Sequence, residues 1–419
     1  MARLGALRER NFRRLFAGQA VSSFGDALVP VALAFAVLRR TGSATDLGLV
    51  LAAEMFSQQV SYLLGGVLAD RWSRRVVMVA ADAGRAAGEL ILGGLLVAGH
   101  PALWVFCALA ALQGAGGGLF GPAASGLVPA VVSDQHVQQA NQLQSMARGV
   151  ASVAGPAAGG LLLLTVGAGW ALLADGVSFA VSLVTLLGLG LHLPPRERIS
   201  SPLQDLRSGW AAFSSRRWYV VTVAFIAAFN LFGGAWLTLG PVIVRRSLGG
   251  AGGWAAISSV GALGAVVGGF GMLRVRPRHP FRFGARLAAF WPLTFLAVGL
   301  RLPLAAVCAL SALGTFGIVT YDDLHHTAVQ QVIPDAVLSR VLSYDYLLGD
   351  TTRPVGAILA GPLAAALGAG TVLAGASILV LVVIVAMGLT PVVRNFTVEE
   401  GRRREAERAG AGAQRTNGT

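Results

Sequence analysis

The sequence predicts an all-α membrane protein with twelve transmembrane helices arranged as two six-helix bundles. Three observations lead to this fold class. The 419 residues have a mean hydropathy of +0.67, and only 13% of them are charged, about half the share of a soluble protein. Glycine accounts for 55 residues, and small residues let membrane helices approach closely. Apolar blocks about 20 residues long, the length of a membrane span, recur along the whole chain.

Each apolar block predicts one membrane-spanning helix. The first block is too long for the core of a signal peptide and has no small-residue cleavage site, so we expect it to remain in the mature protein. Six blocks precede a polar stretch and six follow it. The predicted spans are 15–38, 47–69, 76–98, 102–128, 141–166, 169–193, 218–244, 253–273, 284–300, 302–321, 341–367 and 370–393.

The polar stretch at 194–217 divides the chain into two halves. We expect 1–193 to form the N-terminal bundle and 218–393 the C-terminal bundle, as in transporters built from repeats. The stretch between them carries apolar residues at helical spacing, which predicts a helix on the cytoplasmic membrane surface, with a plain linker as the alternative. These residues are Leu203, Leu206, Trp210 and Phe213. The Arg-, Gly- and Ala-rich tail, 394–419, is predicted to be disordered.

The basic residues predict the orientation. All 33 are arginine; 25 fall on the side that holds the N-terminus, five on the opposite side and three within spans. The positive-inside rule therefore places both termini in the cytoplasm of a multi-pass cell-membrane protein surrounded by the lipid bilayer. The net charge of +13 is spread over short runs between apolar blocks. A nucleic-acid binder would instead cluster its charge on one face of a soluble domain, so no nucleic-acid partner is expected.

The loop after the second span, "GGVLADRWSRRVV", carries a recognisable motif. It resembles the signature of the major facilitator superfamily, Gly-x-x-x-Asp-Arg/Lys-x-Gly-Arg-Arg/Lys, with Ser73 in place of the second glycine. The matching residues are Gly66, Asp70, Arg71, Arg74 and Arg75. The resemblance implies the twelve-helix fold of that family and a gating role, in which the charged cluster holds the cytoplasmic ends of the bundles together. An arginine-rich loop without this role would not explain Gly66 and Asp70 at the matching offsets.

A second motif lies in the fifth span. "GPAAGG" resembles the Gly-Pro-x-x-Gly-Gly core that is typical of antiporters in this superfamily, and it consists here of Gly155, Pro156, Gly159 and Gly160. The resemblance implies export, and ordinary small-residue helix packing around a proline kink is the alternative. A third family motif departs from the pattern, because Ala110 stands where proton-coupled relatives have an arginine.

The opening block, "LRERNFRRLFAGQAVSSFGDALVPVALAFAVLRRTGSATDLGLV", is similar to the branch of macrolide-efflux proteins and siderophore exporters. This resemblance implies a secondary active transporter that exports a drug-like or secondary-metabolite molecule by alternating access. Protons are the coupling ion considered first. The alternative is a transporter-like sensor or scaffold that does not transport. Neither an enzymatic activity nor a cofactor is expected.

Several charges lie inside predicted spans. A charge at the centre of a bilayer costs several kcal/mol, so it usually faces a cavity or a partner. Asp350 and Arg353 are three residues apart, near the midplane, and can pair on one helix face. Asp26 has no basic residue three or four positions away, and we expect it to carry the coupled proton, with Glu54 in reserve. These four residues and Arg148 are the predicted substrate and ion cavity.

Two further charged groups have less specific interpretations. Asp82, Arg85 and Glu89 form one column on the third span and are expected to neutralise one another. The polar residues at the end of the tenth span would suit metal ligands, but a hydrated loop is the preferred interpretation, so no metal site is predicted. These residues are Asp322, Asp323, His325 and His326.

Overall fold

A computed structural model of the chain describes residues 5–71, 73–190, 202–272, 275 and 277–416. Within these ranges the side chains of some helical residues are left undescribed. They are those of 63–71, 125, 126, 129, 134, 202–206, 208, 272, 335, 336, 339, 340, 343 and 408–416.

The described residues form helices joined by short connections, with no β-strand among them. Two 3₁₀ turns, Ala6–Arg8 and Asp134–His136, precede the first and fifth long helices. The α-helices are α1 Arg10–Thr41, α2 Ala44–Arg71, α3 Arg74–Ala98, α4 Leu103–Val131, α5 Val137–Thr165, α6 Ala168–Leu187, α7 Pro202–Ser214, α8 Arg217–Ser247, α9 Gly250–Met272, α10 Pro280–Ala288, α11 Trp291–Gly299, α12 Leu304–Val332, α13 Asp335–Asp350, α14 Thr352–Leu367, α15 Ala369–Leu389, α16 Pro391–Arg394 and α17 Val398–Thr416.

These helices agree with the predicted count of twelve spans. Ten spans are single helices, while the ninth is divided into α10 and α11 and the eleventh into α13 and α14. Eight of the described helices are long and apolar enough to cross a membrane by length and composition, namely α1, α4, α5, α6, α8, α9, α12 and α15. The two divided spans reach membrane length only when their halves are taken together, because each half has between 9 and 16 residues.

The chain packs as two bundles, α1–α6 and α8–α15. In the first, α1 packs against α5 and α6, and α2 against α4. In the second, α8 packs against α14, and α9 against α12. An apolar core runs across both bundles through the second half of α1, where 29 and 31–38 are all buried. Residues of both bundles belong to this core, including some on α2, α8, α9 and α14, so the two bundles are joined by apolar packing.

Several close contacts between the bundles lie at one end of the molecule, which we call the far end because it is opposite the chain termini. There α2 meets α14 so closely that a β-carbon on Gly48 would overlap the carbonyl oxygen of Ala357. The Arg245 guanidinium of α8 donates to the carbonyl oxygen of Leu38 on α1. These contacts close the far end in this structure. We call the opposite end, where α1, α5 and α8 begin, the terminal end.

The predicted linker helix is present as α7. Its Phe213 is buried and stacks on Tyr344 of α13 with the ring centroids 6.0 Å apart, while Trp210 lies 5.5 Å from the same ring. The side chains of Leu203 and Leu206 lie outside the described part. The connection between the bundles is thus attached to the C-terminal bundle through aromatic packing.

The tail differs from the prediction of disorder, because Val398–Thr416 forms helix α17. An ion pair joins Glu405 to Arg216, and both side chains are about nine-tenths buried. Arg402 Nε donates to the carbonyl oxygen of Gln331, 3.0 Å away. Composition could not reveal this helix, because the partners that hold it belong to α12 and the connection before α8.

A polar contact also fixes the start of the chain. The Glu9 carboxylate accepts hydrogen bonds from the backbone N–H and the hydroxyl of Ser133, at 3.0 and 2.9 Å. The Ser133 backbone N–H stabilises the charged form and lowers the pKa of Glu9 below its usual range. The N-terminal segment is thereby tied to the connection between α4 and α5.

Candidate functional site

A cavity of about 310 Å³ lies within the C-terminal bundle, in the half of its helices nearest the terminal end. Its walls come from α8, α12, the junction of α13 and α14, and α15. Aromatic rings form part of the surface, and polar side chains converge on it, including Asn230, Asp322, His326, Asp350 and Arg353. Such a mixture of apolar walls and a few convergent polar groups is typical of a small-molecule site. We call it the C-half cavity.

Asn230 joins the two charges that the sequence placed in the eleventh span. Its amide Nδ2 donates to Asp350 Oδ1 at 2.9 Å, and its Oδ1 accepts from Arg353 at 2.6 Å. The direct distance between the Arg353 guanidinium and Asp350 Oδ1 is 3.7 Å. The predicted pair is therefore a three-residue bridge between α8 and the α13–α14 junction. The sequence reasoning missed Asn230, and the polar residue inside the apolar seventh span was the available signal.

A one-residue interruption between two helices lies beside this bridge. α13 ends at Asp350 and α14 begins at Thr352, whose hydroxyl donates to the carbonyl oxygen of Ala227 at 2.5 Å. Thr351, which lies between the two helices, keeps helical dihedral angles of φ −61° and ψ −23°, and the interruption reflects Pro354, which has no N–H to donate to the Asp350 carbonyl oxygen. Asp350 and Arg353 both border the cavity from these adjoining helix ends.

A buried histidine–aspartate pair forms a second polar element of the cavity wall. His325 Nε2 lies 2.9 Å from Asp345 Oδ2, and the two side chains are 1% and 5% exposed. The His325 ring also stacks on Tyr219, with the ring centroids 5.7 Å apart. Among the described residues His325 Nδ1 has no hydrogen-bond partner. The hydrogen bond and the ring stacking hold the pair in place, while the second ring nitrogen, Nδ1, makes no hydrogen bond with a described residue.

The expectation of a hydrated loop at Asp322–His326 is wrong, because these residues lie within α12. Helical spacing turns their side chains to different sides. Asp322, His325 and His326 border the C-half cavity, whereas Asp323 does not. Over the described part of the chain, no group of three or more His, Cys, Asp or Glu side chains is arranged to hold a metal ion.

Asp26 has a basic partner that the sequence did not reveal. The Arg85 guanidinium of α3 forms an ion pair with Asp26 of α1, and Arg85 Nε lies 3.4 Å from Gln113 Oε1 of α4. The guanidinium carbon also lies 3.8 Å from the centroid of the Phe179 ring. The expected neutralisation of Asp82, Arg85 and Glu89 within one column is therefore wrong. A long arginine side chain reaches a neighbouring helix more readily than sequence spacing suggests.

This arginine leaves several buried carboxyl groups without a basic partner. Asp82 and Asp175 are fully buried and Glu89 is 5% exposed. The Ser178 hydroxyl donates to Asp175 Oδ1 at 3.0 Å, whereas Asp175 Oδ2 and both Asp82 oxygens have no hydrogen-bond partner among the described residues. The interface of α1, α3 and α6 is therefore unusually polar for a membrane bundle.

The other two predicted cavity residues stand apart from the C-half cavity. Glu54 is half-buried on α2, where α4 packs against its backbone at Gly114. Arg148 is exposed on α5, and its guanidinium donates to the Ser145 hydroxyl at 3.2 Å. The structure thus brings Asp350 and Arg353 together at one site and places Asp26, Glu54 and Arg148 in the N-terminal bundle.

The gating motif is described only in part. Gly66, Asp70 and Arg71 belong to α2, but the side chains of Asp70 and Arg71 and the surroundings of Gly66 are not among those described. Ser73 caps α3, because its backbone is extended at φ −64° and its hydroxyl accepts a hydrogen bond from the Val76 N–H at 3.3 Å. Arg75 Nε donates to the carbonyl oxygen of Leu186 at 2.9 Å, which ties the start of α3 to the end of α6. Serine is thus well suited to the position of the family's glycine.

The antiporter-type motif lies at helix contacts. A β-carbon on Gly155 or Gly159 would overlap Ala27 or Leu28 of α1, and one on Gly160 would lie 2.6 Å from the Ala255 β-carbon of α9. Pro156 is accommodated inside α5. The three glycines therefore let α5 pack closely against both bundles, which is the packing role that was considered as the alternative.

The chain matches one protein-family model. The model is described as the Major Facilitator Superfamily, and the match covers residues 15–351.

Curated relatives of similar sequence are named as siderophore exporters. The chain is 28% identical over 372 residues to "Enterobactin exporter EntS" of Shigella boydii serotype 18, a match that covers 84% of this chain and 85% of the relative. It is 27% identical to the protein of the same name from Escherichia coli O9:H4, with the same coverage.

Solved structures of transporters share the fold. A POT family transporter in complex with 5-aminolevulinic acid has a TM-score of 0.72 at 14% identity, covering 90% of this chain and 95% of that chain. The nucleoside transporter NupG also has a TM-score of 0.72, at 12% identity, covering 91% and 99%. A bacterial homologue of the human lysosomal transporter Spinster, solved in an inward-facing and unoccupied conformation, has a TM-score of 0.66 at 15% identity, covering 94% and 97%.

Proposed function

The chain belongs to the major facilitator superfamily, and we propose that it is a secondary active transporter that exports a small organic molecule by alternating access. The observation that carries this proposal is the C-half cavity, in which the Asn230–Asp350–Arg353 bridge faces aromatic walls inside a membrane bundle. Charged groups inside a membrane bundle are costly unless they face a water-filled cavity or pair with a partner. The names of the relatives support export as the direction.

Alternating access is supported by the distribution of contacts between the bundles. The far end is sealed by contacts such as that of Gly361 with Thr45, where a β-carbon would overlap the backbone of α2. The C-half cavity lies toward the opposite end. Transport would require these far-end contacts to separate while the terminal end closes, as in rigid-body movement of one bundle against the other.

The proposed coupling element is the ion pair of Asp26 and Arg85. Proton binding at Asp26 would remove its charge and release Arg85, which would weaken the connection between α1 and α3. A pair that exists in a charged and a neutral form can bias two conformations. Proton-coupled relatives carry an arginine on the fourth span, at the position that Ala110 occupies in this chain. In this proposal Arg85 of α3 supplies the guanidinium instead.

The proposed location is the cell membrane, with both termini and α7 in the cytoplasm. The arginine distribution supports this orientation, because the connections at the terminal end carry most of the basic residues. In that orientation the far end faces outward, and the C-half cavity lies on the cytoplasmic side. A cargo would then be taken from the cytoplasm, as export requires.

The test of export is an accumulation assay in cells with and without the chain. The probes are enterobactin, chosen from the name of the relatives, and fluorescent organic dyes of different charge. Cells that produce the chain should accumulate less of at least one probe, and this difference should disappear with Asp26→Asn. The matched control is Asp323→Asn, which changes an exposed carboxyl group that does not border the C-half cavity and should leave export unchanged.

The competing hypothesis is a membrane sensor or scaffold that adopts this fold without transporting anything. Equal accumulation of every probe in producing and non-producing cells, with the protein present in the membrane, would favour the sensor. Retained uphill export by Asp26→Asn with an unchanged pH profile would instead leave export standing and exclude Asp26 from coupling.

A further inference from the structure

The C-half cavity has an excess of acidic groups. Its walls carry the carboxyl groups of Asp322, Asp345 and Asp350, against which stands the single guanidinium of Arg353. With its histidines neutral the cavity has a formal charge of −2, and with a charged His325 it remains negative. Since charge complementarity governs which ligands enter a site, the imbalance favours cations over anions.

Arg353 already has partners within the C-terminal bundle. Asn230 Oδ1 accepts from its guanidinium at 2.6 Å, and Asp350 Oδ1 lies 3.7 Å away. At this nitrogen an anionic ligand would have to compete with both partners. Arg353 therefore helps to hold α14 against α8, and its single positive charge leaves the carboxyl groups of the cavity in excess.

Asp322 is the acidic group left available. Asp345 is paired with His325 at 2.9 Å, and Asp350 accepts from Asn230. The Asp322 carboxylate borders the cavity, is exposed, and makes no hydrogen bond or salt bridge with another described residue. A carboxylate in this position provides an unused counter-ion for a positively charged ligand.

Aromatic rings share the cavity wall with this carboxylate. Phe225, Phe229, Tyr321 and Tyr346 all border the cavity, and Phe229 is held by stacking on Trp291 with the ring centroids 4.1 Å apart. Ring faces attract cations and also accept the apolar body of an amphipathic molecule. The same walls therefore favour an aromatic or aliphatic amine over a small inorganic cation.

We propose that the C-half cavity selects an amphipathic organic cation, with Asp322 as the counter-ion of its positive group and the aromatic walls around its apolar body. The inference rests on the proposed transport function and specifies the class of its substrate. It separates this chain from the siderophore suggested by the names of its relatives. The volume of about 310 Å³ suits a drug-sized molecule.

The experiment compares two dyes that share a xanthene body and differ in charge. Rhodamine 6G is a cation and fluorescein is an anion at neutral pH, and binding of each to the purified full-length chain is measured by fluorescence polarisation. Rhodamine 6G should bind at least about tenfold more tightly, and its affinity should fall when salt is raised from about 50 to about 500 mM.

Two substitutions at Asp322 test the role of its charge. Asp322→Asn should weaken rhodamine 6G binding about tenfold, the size expected from losing a charged contact. Asp322→Glu, which keeps the charge, should restore most of the affinity. Asp323→Asn is the matched control and should change the affinity by less than about twofold. Size-exclusion profiles and melting temperatures establish whether each variant is folded. If a variant does not fold, the comparison of the two dyes on the unaltered chain still tests the inference.

Three results would overturn the inference. Tighter binding of fluorescein, lost on Arg353→Gln, would assign the cavity to anions and leave the transport proposal intact. Equal affinity for both dyes would show that charge does not decide selection. Absence of binding for either dye, together with unchanged accumulation of every probe in cells, would count against transport itself.

Discussion

At the scale of single residues, two sets of charges inside the spans have partners on other helices. Arg85 of α3 pairs with Asp26 of α1, and Asn230 of α8 bridges Asp350 and Arg353. A buried charge that loses its partner is left in a medium of low dielectric constant, at a cost of about 3–5 kcal/mol. Residues of this kind therefore couple strongly when they are changed together.

The Asp26–Arg85 pair should show this coupling in a double-mutant cycle. Asp26→Asn and Arg85→Gln should each lower the melting temperature of the purified protein, because each leaves one member unpaired. The double variant should lose clearly less than the sum of the two shifts. Arg148→Gln removes an exposed arginine whose described contact is with Ser145 and should have little effect. Additive shifts from the single variants would mean that the two side chains do not interact.

At the scale of elements, short helices outside the spans are attached to the C-terminal bundle. α7 packs on α13 through aromatic rings, and α17 packs on the terminal end of α12. A β-carbon on Gly401 would lie 2.9 Å from a methyl group of Val332, which indicates close packing between α17 and α12. The buried pair of Arg216 and Glu405 adds a contact to the start of α8.

The docking of α17 can be tested by limited proteolysis, because the helix contains several arginines that trypsin recognises. Glu405→Gln should speed cleavage after Arg402–Arg404 at least about fivefold, since the buried Arg216 loses its partner and local opening becomes more frequent. The matched control is Glu407→Gln, which breaks only the exposed pair with Arg403 at 3.4 Å. Mass spectrometry identifies the cleavage sites. If both variants are cleaved at the same rate, Glu405 does not hold the helix.

At the scale of the whole molecule, the two bundles meet at the far end through glycines. Gly48 and Gly361 allow α2 and α14 to touch at the backbone, and Gly160 allows α5 to approach α9. Close approach at small residues gives membrane helices the van der Waals contact that drives their association. A larger residue at these positions should therefore favour conformations in which the far end is open.

Gly361→Leu should shift the protein away from the conformation described here. The assay uses a protein in which Cys107→Ser and Cys308→Ser remove the native cysteines and Tyr346→Cys places one cysteine in the wall of the C-half cavity. The rate at which a maleimide labels this cysteine measures access to the cavity. Labelling should slow about tenfold with Gly361→Leu, which corresponds to a shift of about 1.4 kcal/mol. Gly375→Leu is the matched control, because a β-carbon there meets open space. Equal labelling rates in the two variants would contradict the proposed opening.

The number and order of the membrane helices were determined by the sequence itself. Apolar blocks of about 20 residues must become helices in a bilayer, because no water is available to satisfy the backbone. The superfamily was likewise evident from the positions of Gly66 and Asp70, and the family match agrees with it. Signals of this kind are local, so each can be recognised without knowing which helices are neighbours.

Only the tertiary structure decided which polar groups meet. Asp26 had no local partner in the sequence, yet α1 and α3 bring it to Arg85, 59 positions away. Asn230 and Asp350 are 120 positions apart. The composition of the tail gave no sign that Arg216 and the carbonyl oxygen of Gln331 would hold it. Hydrogen bonds and ion pairs act over a few ångströms in space and are indifferent to separation along the chain. The packing of the helices therefore determines the site, and the sequence alone could identify only the residues available to form it.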